Sequence, residues 1–186
     1  MLNRLSNWFC AKSSGWVVLA ALIIFLLFGM TVLPRESALA ETYSAGAGVP
    51  DTSLFYTPQD LYRMAEVYGA EGRQAYVHAR FRFDLVFPLI YTFFLTSGIS
   101  WLFKHLPEKN NSFKRLNLLP LGAMLLDFLE NINAAGAIGA YPSARPILAC
   151  LAAIATPLKW LLVGASFLSL LAAVIMRILA LVKGNK

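Results

Sequence analysis

Charge is scarce in this chain. Only 14% of its 186 residues are charged, against about 25% in a soluble domain. The charges that exist cluster between long apolar runs, which excludes an ordinary soluble core and reads as a polytopic membrane protein. Cysteine is nearly missing. Cys10 and Cys150 lie in or beside different apolar segments and no CxxC occurs, so neither a disulfide framework nor a thiol relay is supported. Histidine is equally sparse. His78 and His105 fall at opposite ends of one apolar segment, which excludes a His-based metal or haem site within one chain. A continuous basic stripe is also lacking. The net charge of +6 sits on residues that flank apolar segments, and this argues against nucleic acid as a partner.

What is present is apolar length. About 20 apolar residues cross ~30 Å of hydrocarbon, and four segments qualify. They are Trp16 to Leu33, which has no charge, Phe81 to Phe103, Leu116 to Ala140, and a stretch within Pro146 to Val182. Pro157 is expected to divide the last, leaving a short interfacial piece and a span over 158–181. The fold class expected is all-α: a four-helix transmembrane bundle forming a single integral membrane domain over 1–186, with a short amphipathic helix in an outer segment, 34–80. The first segment has a rival reading. "SALA" before Glu41 offers an Ala-x-Ala cleavage pattern at Ala38 and Ala40, but a secretory signal has a shorter apolar region than 16–33. An uncleaved helix is the preferred reading.

Basic residues favour the cytoplasmic side of short loops. Arg4 and Lys12, then Lys104, Lys109, Lys114 and Arg115, then Arg177, Lys183 and Lys186 all fall on one side of a four-span arrangement. Both termini are therefore expected to be cytoplasmic. In the outer segment, residues 41–56 read as an irregular connection. "TPQDLYRMAEVYG" reads as a helix, with Thr57 as N-cap, Pro58 at the first turn, Asp60 completing a capping box and Gly69 ending it.

The third span poses the functional question. "MLLDFLENIN" puts Asp127, Glu130, Asn131 and Asn133 inside an apolar run. Near a helix centre Asp costs about 2.5–3.5 kcal/mol, while Leu, Ile or Phe each contribute about 0.3–0.6 in favour. Roughly eleven strong apolar residues then offer on the order of 5 kcal/mol, which the two acids alone cancel. This helix is marginal by itself, and its polar residues are expected to face the interior or a wet cavity. Asp127, Glu130 and Asn131 are spaced i, i+3, i+4 and share a face. Arg73, Arg80, Asp84, Tyr91 and Gly98 share a stripe at 100° per residue, and Arg80 can pair with Asp84 at i,i+4. Lys159, with Ser166 two turns along the same face, places a cation at similar depth. The candidate site is an outward-facing polar cluster of Arg80, Asp84, Tyr91, Asp127, Glu130, Asn131 and Lys159.

"YTPQDLYRMAEVYGAEGRQAYVHARFRFDLVFPLIYTFFL" followed by "LNLLPLGAMLLDFLEN" resembles a group of small bacterial integral membrane proteins of unassigned function. The features that carry it are Arg80 with Phe83–Asp84, and Asp127 with Glu130–Asn131 after Pro120, over about residues 50–135. The resemblance implies a bacterial cytoplasmic membrane and brings no activity with it. Small multidrug transporters fit less well, since the first span lacks their embedded Glu.

Three functions are weighed. The first is a binding or assembly role, with membrane lipid, a second copy of the chain or another membrane protein as partner. The second is an enzyme acting on a lipid or isoprenoid-type substrate. There Asp127 and Glu130 would be general acid/base groups or ligands of a divalent metal such as Mg²⁺ or Mn²⁺, although no nucleophile or Asp-rich metal motif is seen. The third is ion or proton translocation through an acid relay, weakened because the acids lie in the outer half alone.

Overall fold

The computed structural model describes residues 1–106 and 108–184. Of the basic residues used to orient the chain, Lys186 lies outside the described residues, as do the side chains of Lys109 and Lys183. The chain is all-helical: 87% is helix and no strand occurs among the described residues. In order it forms α1 (Leu2–Lys12), α2 (Gly15–Ser44), a 3-10 turn (Pro50–Thr52), α3 (Pro58–Arg80), α4 (Phe83–Lys104), a 3-10 helix (Glu108–Leu118), α5 (Leu119–Gly139) and α6 (Pro146–Gly184). Three helical stretches are long and apolar enough to cross a membrane: Gly15–Ser44, Pro58–Lys104, which joins α3 and α4, and Pro146–Val182. The 21-residue α5 is not among them, because its two acids and two asparagines lower its mean hydropathy.

Two boundaries correct the sequence reading. Pro157 does not divide the last segment, since α6 is one helix of 39 residues with Pro157 inside it. A mid-helix proline removes the bond to a single carbonyl, that of Ala153, and such a loss is tolerated where neighbouring groups compensate. Nor is 41–56 irregular throughout. α2 runs 30 residues through Pro34 to Ser44, so part of 41–56 is helical. Its last turns are held by packing, for Ala40 and Tyr43 lie against the cluster of Tyr68 and Tyr76. The start of α3 follows the expected chemistry. Thr57 caps it in a capping box with Asp60, and Gly69 interrupts it at φ 63°, a left-handed conformation that favours glycine.

The chain packs as two compact units. One comprises Met1–Leu26, Ile90–Ala123 and Leu161–Lys186; the other comprises Leu27–Leu89 and Met124–Trp160. In the first, Ile99, Leu102, Phe103, Leu106 and Ala173 form the core. Asn117, fully buried, donates to the Ser6 carbonyl at 3.1 Å and to Ser100 Oγ at 2.8 Å, which ties α1 to the polypeptide around it. Lys104 Nζ donates to the Ser13 carbonyl at 2.9 Å. In the second unit, Leu61, Met64, Ala65, Tyr68 and Tyr76 of α3 pack on Ala134, Ala137 and Ile138 of α5 and on Ala149 and Ala152 of α6. Small residues permit this close approach. A Cβ built at Gly136 would come within 2.8 Å of Leu148, and one at Gly72 within 2.7 Å of the Tyr43 carbonyl oxygen.

Candidate functional site

Six ionisable residues of the second unit gather into two triads. The first forms at the junction of α3 and α4. Arg80 ends α3 and Asp84 lies in the first turn of α4. Only residues 81 and 82 separate the helices, so the i,i+4 relation survives and Arg80 Nε lies 2.9 Å from Asp84 Oδ2. Asp51, from the 3-10 turn, pairs with Arg80 Nη1. The guanidinium also lies 4.7 Å from the centroid of the Tyr76 ring, a cation–π distance.

The second triad joins α5 to α6. Lys159 Nζ lies 2.5 Å from Glu130 Oε2 and 3.7 Å from Asp127 Oδ1. Glu130 is fully buried and Lys159 is 4% exposed. Asn131 links the triads, donating to Asp127 Oδ1 at 3.1 Å and reaching the Asp84 carbonyl at 3.5 Å. Trp160, next to Lys159, donates from Nε1 to the Ser53 carbonyl at 2.9 Å, which holds the connection carrying Asp51 against α6. The result is a network in which each of the four carboxylates closes on one of two cations.

Six of the seven residues selected from sequence, namely Arg80, Asp84, Asp127, Glu130, Asn131 and Lys159, meet in this network. The seventh, Tyr91, falls in the first unit. Arg73 leaves the expected stripe. It donates to the Ala65 carbonyl at 3.0 Å and lies over Tyr141. Asn133 and Ser166 bond to carbonyls one turn back within their own helices. As for the metal reading, the Lys159 ammonium stands against both Asp127 and Glu130, where a divalent ion would have to bind. No group of three metal-ligating His, Cys, Asp or Glu side chains occurs among the described residues.

Sequence reasoning missed Asp51, whose irregular segment has no periodicity to reveal it, and a group of buried tyrosines. The Tyr56 and Tyr76 hydroxyls are buried without a hydrogen bond of standard geometry among the described residues. Burial raises both above the ordinary phenol range, with the nearby Glu130 adding to it. Tyr68 instead donates to the Gly48 carbonyl at 2.6 Å.

A cavity of about 580 Å³ lies in the same unit, between a face of α2 and the face that runs from α3 into α4. Phe28, Val32, Glu36, Leu39 and Tyr43 recur at helical spacing on one wall; Ala75, His78, Arg82 and Val86 do so on the other. Neither Asp127 nor Glu130 lines it.

Comparison with family models, with curated proteins and with solved structures gave no match. Fold and site define a class: an all-helical protein with three membrane-length apolar helical stretches and a buried acid–base network.

Proposed function

We propose that the chain crosses a bilayer four times, on α2, α4, α5 and α6, and that its role is binding or assembly. At 1.5 Å per residue the 21 residues of α5 measure about 31 Å, enough for one crossing. The first half of α3 would be the amphipathic helix of the outer segment, with both termini cytoplasmic. The bacterial cytoplasmic membrane follows from the resemblance carried by Arg80, Asp84 and the Asp127 motif.

One observation carries the functional reading: every carboxylate of the cluster stands against a cation of the same chain, two on Arg80 and two on Lys159. A general acid/base or metal site needs a carboxylate free to face its substrate or ion. Here Lys159 engages both candidate acids, and the neighbouring cavity is lined by neither. Such a network favours fixing the helices that shape a binding groove. Catalysis on a lipid or isoprenoid-type substrate and proton translocation are the less favoured readings. Stability and function of the Asp127→Asn, Glu130→Gln double variant test the proposal. It is expected to lose thermal stability and yield in detergent. A variant of wild-type stability that abolishes a cellular phenotype would move the role to catalysis or transport.

A further inference from the structure

The cavity is polar at one end and apolar at the other. The uncharged run of α2 stops at Leu33, and in the four-crossing arrangement proposed above Arg35 with Glu36 marks the level where water begins. Val32 and Phe28 lie one and two turns below Glu36, and the Phe28 ring stacks on Phe83 at 5.6 Å to close the apolar end. On the opposite wall His78 and Arg82 are one turn apart and both exposed. Among the described residues none of Glu36, His78 and Arg82 has an ion pair. The groove therefore carries an unmatched anion on one wall and an unmatched guanidinium with an imidazole on the other. In the acid–base network, by contrast, every charged group has an ion-pair partner.

We propose that this groove binds one phospholipid whose headgroup carries both a phosphate and a primary ammonium. Arg82 and His78 take the phosphate, as basic groups between membrane helices take anionic headgroups. Glu36 takes the ammonium. A primary ammonium donates hydrogen bonds to a carboxylate, whereas a quaternary choline cannot. A glycerol headgroup leaves Glu36 without a cation. The upper part of an acyl chain lies along Val32, Phe28 and Val86, and the rest of the lipid stays in the bilayer. This rests on the membrane-spanning binding role proposed above, but not on the part assigned to the acids.

The experiment is a melting-temperature titration of the full chain in mild detergent. Phosphatidylethanolamine, phosphatidylcholine and phosphatidylglycerol with identical acyl chains are added separately, together with chain-free glycerophosphoethanolamine. A ligand that binds the folded state raises the melting temperature by mass action. Phosphatidylethanolamine is expected to act at about tenfold lower concentration than the other two lipids, and the chain-free headgroup to give no shift. Glu36→Gln is expected to bring phosphatidylethanolamine down to the level of phosphatidylcholine, and Arg82→Gln to weaken all three. Glu130→Gln is the control: the ranking of lipids should persist even where its own melting temperature falls, which keeps a failure of the acid network apart from a failure of the groove. Equal shifts for the three lipids, a preference that survives Glu36→Gln, or a full shift from the chain-free headgroup would overturn the proposal.

Discussion

Lys159 is the residue on which the reading of the site turns. Its ammonium pairs with Glu130, at 2.5 Å, and with Asp127, at 3.7 Å. Lys159→Met removes the charge, keeps much of the stem, and takes the cation away from the fully buried Glu130. Breaking one partner out of a buried ion pair costs about 3–5 kcal/mol. Glu130→Gln is a milder change. It keeps the shape and leaves Lys159 with Asp127, so the loss should be nearer that of one charged hydrogen bond, about 1.5–3 kcal/mol. In the combined variant only Asp127 remains, still accepting from Asn131. The double variant should then be less destabilised than the sum of the singles by at least about 1 kcal/mol, since the two positions share one interaction. Equilibrium unfolding in mixed micelles of mild and denaturing detergent, followed by circular dichroism, reads all three values. Strict additivity, or a Lys159→Met protein within about 0.5 kcal/mol of wild type, would refute the claim that this network holds α5 to α6.

Three further outcomes follow from local geometry. Gly72→Ala gains up to about 1 kcal/mol of helix propensity, but its Cβ would stand 2.7 Å from the Tyr43 carbonyl oxygen; overpacking of about 1–3 kcal/mol outweighs that gain, and a higher melting temperature would contradict it. Tyr76→Phe deletes a hydroxyl that is buried without a partner among the described residues, so unfolding should show it neutral or stabilising, and a marked loss would mean that the hydroxyl is satisfied after all. The Asp60 carboxyl is held below its usual range, chiefly by hydrogen bonds from Thr57; its contribution is present above the unfolded value of about 3.9 and lost as pH falls through the lowered folded value. The stability difference between wild type and Asp60→Asn, measured by amide exchange in α3, should therefore shrink as pH falls from 6 toward 3, and a constant difference would speak against the capping box.

The helical class and the cluster were largely legible in the sequence, because both rest on local rules. Arg80 and Asp84 are four residues apart, and Asp127, Glu130 and Asn131 occupy one helix face whatever surrounds them. Lys159 was found by depth alone. The parts that were not legible depend on tertiary contact. Asp51 lies in a segment without periodicity, and its pairing with Arg80 requires a fold that no local pattern encodes. Pro157 looked like a stop, because propensity weighs a proline heavily and packing lightly. The groove could not be read at all, since its walls come from α2 on one side and α3–α4 on the other.

The pairing of acids on α5 with a base on α6 also orders events in time. A ribosome delivers Asp127 and Glu130 before Lys159, with the turn around residues 140–146 in between. During that interval the acid-bearing helix lacks Lys159 and gains too little from its leucines to remain in the bilayer unaided. In the four-crossing arrangement α5 must therefore wait at the insertion machinery and enter together with α6 as a hairpin. Chains halted after residue 145 would leave α5 uncommitted, and the last helix would act as the fastener that commits the one before it.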